Sequence, residues 1–108
     1  MKKFDGSYRL LDEMYKDGYY PDFLVDKVKA ELEKVIVLLE SGETDPQVIQ
    51  EKLDEMTCAI NDLQEEFYEN DSEIETVARD CIGMDAGYIL NWFGIPIDME
   101  EAIRERDW

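Results

Sequence analysis

The strongest constraint on the fold is a stripe of apolar residues between Thr44 and Asn70. Its members recur at spacings of four, three, four, three and four residues, and they are Ile49, Leu53, Met56, Ile60, Leu63 and Phe67. Spacings that alternate between three and four place side chains on one face of an α-helix. The stripe therefore predicts a long amphipathic helix over about residues 44–70, against which the other apolar surfaces of the chain pack.

Further apolar patterns predict two more long helices and two short ones. The long helices cover about residues 22–40 and 72–94, and the short ones lie near residues 7–16 and 98–106. Short loops between long helices favour antiparallel neighbours, and no stretch alternates in the manner of a β-strand. The sequence therefore predicts an all-α fold, a compact antiparallel helical bundle in which residues 1–108 form a single domain.

Two local signals refine the helix boundaries and contacts. Thr44 and Ser72 each have a Gln or Glu three residues later, which is the pattern of an N-terminal capping box. Gly83 and Gly87 lie four residues apart inside the predicted fourth helix, where an interior glycine costs about 1 kcal/mol relative to alanine. We interpret the glycines as a close helix crossing or a kink, the alternative being a gap for a ligand or a partner backbone.

The charge of the chain limits its partners. The sequence has 28 acidic and 11 basic residues, which gives a net charge of −17. Nucleic acid and anionic membrane surfaces are polyanions, so we expect no direct binding to either. A basic protein partner, a cation or simple solubility remain as reasons for the acidity. No apolar run is long enough to span a membrane, and we expect a cytoplasmic protein.

Several chemistries are excluded by composition. The chain has no histidine, which removes His-based triads and most zinc and iron sites. Cys58 and Cys81 lie within apolar helical patterns, and we expect reduced thiols in the core. No glycine-rich phosphate loop or calcium-binding loop is present. The sequence therefore predicts no metal and no cofactor, although a carboxylate-only magnesium or calcium site remains conceivable.

The predicted fourth helix carries the most suggestive polar residues. Glu75 and Arg79 are four residues apart and are expected to pair. Asp85 lies between the two glycines in the apolar part of the helix. It could face inward with a shifted pKa, which would make it a site candidate. We favour instead a position on the solvated side of the helix, because acidic residues are common throughout this chain.

Aromatic residues are concentrated near the two ends of the chain. If those ends pack together, the residues form one region that either fills the core or binds a partner. Acidic neighbours would then favour a basic partner. The candidate interaction surface that we predict comprises Tyr15, Tyr19, Tyr20, Asp22, Asp26, Glu75, Arg79, Asp85, Trp92 and Trp108.

Three stretches resemble a known family. They are residues 14–27 (MYKDGYYPDFLVDK), 72–79 (SEIETVAR) and 104–108 (RERDW), and they are similar to a family of small acidic bacterial proteins of unknown function. The resemblance implies a helical domain in a bacterial cytosol. It implies no activity and no functional residue.

We therefore expect a non-enzymatic, acidic protein-interaction module of the immunity, antitoxin or regulator type that binds a basic partner. The alternative is a small-molecule or divalent-metal-binding enzyme that uses helix carboxylates and tyrosines. A homodimer, in which a second copy completes an exposed apolar stripe, is a third possibility.

Overall fold

The computed structural model describes residues 2–108, and these residues form five α-helices. The helices are α1 Asp12–Lys16, α2 Asp22–Glu40, α3 Pro46–Glu69, α4 Thr76–Trp92 and α5 Met99–Ala102. Residues 2–108 contain no β-strand. The all-α bundle of three long helices with a short helix at each end is confirmed.

Helices α2 and α3 form an antiparallel hairpin around the predicted stripe. Five of the six stripe residues are buried, and Leu63 is half-buried at the edge of the core. The apolar face of α2 packs against them. The ammonium group of Lys27, near the start of α2, lies 2.6 Å from a carboxylate oxygen of Glu66, near the end of α3. Gly42, with φ 96°, takes the left-handed conformation in the loop that joins the two helices.

Helix α4 packs between α1 and α5, and its glycines allow the close approach of α5. A Cβ atom added to Gly83 would lie 2.9 Å from the sulfur of Met99, and one added to Gly87 would lie 3.8 Å from the Met99 Cβ. The first distance is shorter than a non-bonded contact between a carbon and a sulfur atom allows, so a side chain at position 83 would clash with Met99. The predicted close helix crossing is therefore confirmed, and α5 occupies the gap.

The capping boxes predicted at Ser72 and Thr44 are both wrong. Helix α4 begins at Thr76, not near residue 72, because the amide of Ser72 donates to the carbonyl of Phe67 at 2.8 Å and closes a turn there. Ser72 is buried and its hydroxyl caps no amide. At the start of α3 the cap is Asp45, whose side chain accepts from the Gln47 amide, and not Thr44.

The first helix is shorter than predicted. It starts at Asp12, because Leu11 has φ 58° and ψ 30°, a left-handed conformation that interrupts a right-handed helix. The Leu11 side chain is fully buried. Upstream, the Asp5 carboxylate accepts from both the amide and the hydroxyl of Ser7, which makes a turn where the sequence predicted helix.

After α5 the chain runs back across the bundle. The Asn61 side chain donates to the carbonyl of Glu105 at 2.8 Å, and the Gln64 side chain donates to Asp107. The Nε of Arg79 donates to the backbone oxygen of Trp108 at 3.0 Å. These bonds seat Trp108 in the core cluster.

The two cysteines have different environments. Cys81 is buried as predicted, whereas Cys58 is exposed on the outer face of α3, and both are free thiols. Of the helices in residues 2–108, none combines the length and the apolarity that a membrane crossing needs.

Candidate functional site

Asp85 is buried, so its predicted place on the solvated side of α4 is wrong. The residue is 4% exposed. One carboxylate oxygen accepts from the Tyr8 hydroxyl at 2.6 Å and the other accepts from the Leu11 amide at 2.6 Å. Burial raises the pKa of Asp85, and the two hydrogen bonds partly offset that rise.

The spacing of Asp85 from its apolar neighbours in the sequence could have predicted this burial. Asp85 follows Ile82 by three residues and precedes Ile89 by four, and both isoleucines are buried. Residues at these spacings share one helix face. The abundance of acidic residues elsewhere in the chain obscured the one that occupies an inward position.

The groups around Asp85 are poor nucleophiles at neutral pH. Burial and the Asp85 carboxylate raise the pKa of Tyr8 far above its usual range. Burial and the same carboxylate raise the pKa of Cys81 to about 11. Both side chains therefore stay protonated, and both oxygens of Asp85 are already bound to donors. The arrangement fixes the N-terminal segment, which we define as residues 4–11, to the surface of α4.

A cluster of aromatic rings continues this contact. The rings of Tyr8 and Tyr88 stack at 3.9 Å with an angle of 10° between their planes. Phe4 packs against both rings and against Trp92. The Tyr88 hydroxyl donates to Asp5 at 2.7 Å. The two ends of the chain thus do pack together, and Phe4, which we did not single out in the sequence, lies at the centre of the cluster.

A second aromatic group lies at the opposite end of α4. Tyr20 is buried, and its hydroxyl oxygen accepts from the Ala78 amide in the first turn of α4 at 3.2 Å. Tyr19 packs edge-on against Tyr20 at 5.2 Å between ring centres. The predicted single aromatic region is therefore two separate groups.

Three aromatic rings near the second group face solvent. Tyr19, Phe23 and Tyr68 are 40%, 50% and 64% exposed. Glu75, Glu73 and Tyr68 lie near Tyr19, and Glu66 pairs with Lys27, which lies over the Phe23 ring. We call the assembly the acidic aromatic patch, which comprises Tyr19, Phe23, Tyr68, Glu66, Glu73 and Glu75. The pKa of Tyr19 is raised by partial burial and by the charges of Glu75 and Glu73. The patch therefore presents apolar ring faces within a negative field.

The patch already holds one cation of the chain itself. The ammonium group of Lys27 lies 6.0 Å from the centre of the Phe23 ring and 2.6 Å from Glu66. A ring face together with a carboxylate is a favourable environment for an ammonium or guanidinium group.

Among residues 2–108 there is no group of three or more Cys, Asp or Glu side chains arranged to hold a metal ion.

The model of a family of unknown function matches residues 4–108, which is nearly the whole chain. The chain belongs to this family, DUF5713. Neither among curated proteins nor among solved structures is there a significant match. The resemblance seen in the sequence is thus confirmed, and the DUF5713 match includes the N-terminal segment that Asp85 holds.

In this DUF5713 chain three of the predicted interaction residues are buried. They are Tyr20, Asp85 and Trp108. Each has a packing role: Tyr20 caps α4, Asp85 holds the N-terminal segment, and Trp108 docks beside Arg79. None of the three belongs to the exposed surface on which we placed it.

The other predicted residues are spread over several places. Tyr19 and Glu75 belong to the acidic aromatic patch, and Asp22 is exposed beside Phe23 at the start of α2. The Tyr15 hydroxyl donates to Asp26 at 2.5 Å. The remaining two, Arg79 and Trp92, lie outside the patch. Arg79 donates to the backbone oxygen of Trp108, and the indole of Trp92, at the C-terminal end of α4, donates to the carbonyl of Lys3.

The predicted surface lacked four of the six members of the patch, which are Phe23, Tyr68, Glu66 and Glu73. Tyr68 follows Phe67, the last residue of the buried stripe, and therefore must point away from the core. An outward aromatic residue in an acidic helix is the signal that could have found it.

Proposed function

We propose that this DUF5713 protein is a non-enzymatic interaction module that binds a basic segment of a partner protein at the acidic aromatic patch. The supporting observation is the exposure of Tyr19, Phe23 and Tyr68 among carboxylates in a chain of net charge −17. The proposed setting is a bacterial cytoplasm, and the proposed class is an immunity, antitoxin or regulator protein.

The physical case combines two contributions. Exposed Tyr and Phe rings supply contact area and cation–π attraction, and such residues often dominate the energy of an interface. A strongly negative field raises the rate at which a basic partner arrives and disfavours acidic partners. The surface therefore suits a segment in which Lys or Arg residues alternate with apolar ones.

The test is the binding of synthetic basic peptides, which is measured by fluorescence anisotropy at low and high salt. We expect peptides that combine Arg with apolar residues to bind, and we expect salt to weaken them. Replacing Tyr19, Phe23 and Tyr68 together by Ala should weaken binding roughly tenfold or more, because each anchor of an interface contributes about 1 kcal/mol or more.

The matched control replaces Val48 and Met84, which are exposed apolar residues outside the patch, by Ala and should bind as the wild type does. Equal binding by the triple variant would show that net charge alone attracts the peptides. That result would contradict the proposal.

The alternative is an enzyme that uses helix carboxylates and tyrosines, and the Asp85–Tyr8 pair is the observation in its favour. We rank it second because both Asp85 oxygens already accept from protein donors. A substrate would have to displace the N-terminal segment to reach that carboxylate.

A further inference from the structure

A cleft separates the N-terminal segment and α1 from the second half of α2. It has a volume of about 640 Å³, which is within the range of small-molecule sites. Phe4, Leu10 and Tyr15 contribute to one wall, and Ile36 and Val37 contribute to the other. We call this space the N-terminal cleft.

Two cations in the cleft have no partner in the described chain. Arg9 and Lys29 both line it, and neither side chain forms an ion pair or a hydrogen bond with another of residues 2–108. Arg9 is exposed and Lys29 is half-buried. In a protein with 28 acidic residues, two unpaired cations on the same cleft are an unexpected arrangement.

The carboxylates that line the cleft are mostly engaged elsewhere. Glu40 accepts from the Phe4 amide at 2.9 Å. Asp5 accepts from Ser7 and from Tyr88. Asp12 is paired with Lys16 at 2.8 Å.

Glu33 is the remaining acidic residue of the lining, and it has no ion-pair or hydrogen-bond partner among residues 2–108. The groups that are free to bind a ligand are therefore Arg9, Lys29 and Glu33. Two of these three are cationic.

We propose that the N-terminal cleft binds a small organic carboxylate with an aromatic or branched apolar body. The carboxylate would be bound by Arg9 and Lys29, because a guanidinium group matches the two oxygens of a carboxylate. The apolar body would lie against Phe4, Leu10 and Ile36. A single negative charge suits this protein better than the two charges of a phosphate, since Glu33 and the net charge of −17 repel anions.

The test is an NMR titration of the full chain with three probes. Phenylacetate has the ring and the carboxylate, acetate lacks the ring, and phenethylamine replaces the carboxylate by an ammonium group. We expect phenylacetate to shift amide signals of residues 4–15 and 29–37 and to saturate at about millimolar concentration, as befits a ligand of this size. Acetate should bind roughly tenfold more weakly, because it has no apolar body to bury, and phenethylamine should not shift these signals.

A charge-matched pair of variants separates the cleft from general electrostatics. Arg9→Gln with Lys29→Gln should weaken phenylacetate roughly tenfold or more, because hydrogen bonds to charged groups are lost. Lys34→Gln with Lys52→Gln removes the same charge outside the cleft and should leave the affinity within about twofold, since exposed ion pairs contribute little. Glu33→Gln should tighten binding.

Three results would overturn the proposal. They are the absence of shifts at the cleft, equal affinity in the Arg9 and Lys29 double variant, and equal binding of phenethylamine. The cleft and the acidic aromatic patch share no residue. The triple variant of the patch should therefore bind phenylacetate normally, and failure of one proposal is distinguishable from failure of the other.

Discussion

The α2–α3 hairpin and the N-terminal segment are held in contrasting ways. The hairpin buries a continuous apolar stripe along two regular helices. The N-terminal segment lies on α4 through a small aromatic cluster and the buried Leu11 side chain, and it depends in addition on individual polar contacts, chiefly the bond from Leu11 to Asp85 and the bond from Tyr88 to Asp5. Apolar burial is non-directional and distributed over many atoms, whereas each polar contact depends on two groups that must both be present.

The segment also contains backbone strain that the hairpin lacks. A left-handed conformation costs a non-glycine residue about 1–2 kcal/mol, and Leu11 adopts it with φ 58°. Burial of the Leu11 side chain and the bond to Asp85 offset that cost. We therefore expect the segment to open locally before the hairpin unfolds.

The largest effect is expected in the hairpin. Ile60 is fully buried in the stripe, and Ile60→Ala should lower the free energy of unfolding by about 2–5 kcal/mol, because the smaller side chain leaves a cavity. Urea denaturation followed by circular dichroism measures the loss. A loss below about 1 kcal/mol would show that the stripe does not dominate the stability of the hairpin.

The next largest effect tests the segment. Asp85→Ala removes the acceptor of the Leu11 amide and of Tyr8, and it should cost about 2–3 kcal/mol, since hydrogen bonds to a charged group are lost. Amide hydrogen exchange should accelerate in residues 4–16 while the hairpin stays protected. Asp80→Ala, an exposed change on the same helix, is the control. Equal acceleration in both regions would contradict the proposed independence of the segment.

A smaller effect separates the two bonds of Asp85. Tyr8→Phe deletes only the hydroxyl that donates to the carboxylate, and it should cost about 1 kcal/mol. Tyr68→Phe, in which the lost hydroxyl is exposed, should change the stability by less than about 0.5 kcal/mol. Thermal unfolding of both variants in the same buffer gives the comparison. Equal stability of the two would mean that the Tyr8 bond contributes nothing.

The smallest effect is on the pH dependence of stability. The pKa of Asp85 is raised in the folded state above its ordinary value of 3.8. Between the unfolded and folded pKa values the folded protein therefore binds more protons. The protonated Asp85 therefore adds to the free energy of unfolding below pH 3.8, and this added stability is lost as the pH rises through the folded pKa of Asp85.

Asp85→Asn should remove this contribution, so that the unfolding free energy of the variant falls less steeply from acid to neutral pH. Urea denaturation of both proteins at several pH values compares the slopes. Tyr8 and Cys81 remain protonated over this interval because their pKa values are raised. Identical slopes would show that the ionisation of Asp85 does not depend on folding.

The long helices could be predicted because the spacing of their apolar residues is a property of neighbouring positions in the sequence. The predicted bounds of α2 match those observed, and those of α3 differ by one or two residues at each end. The predicted start of α4 was four residues too early. The sequence pattern at Ser72 is that of a capping box, but the Ser72 amide instead donates to the Phe67 carbonyl and closes a turn. A local pattern cannot show that a residue distant in sequence, Tyr20, will cap the helix instead.

The interaction surface was less predictable than the fold. Composition alone indicated an acidic exterior, but the ten candidate residues proved to be partly buried and widely separated. Whether an aromatic residue fills the core or faces solvent depends on which helices meet. The contrast between buried Tyr20 and exposed Tyr19, its neighbour in the chain, illustrates this dependence.

The sequence by itself determined the α2–α3 hairpin, the presence of the other three helices and the acidic net charge, since helical periodicity and charge are properties of neighbouring residues. Tertiary structure alone decided the burial partners of Asp85, the left-handed Leu11 and the division of the aromatic residues into two groups. The bond between Tyr8 and Asp85 joins residues 77 positions apart. Such a bond forms only after packing has brought both groups together, and no local pattern encodes its geometry.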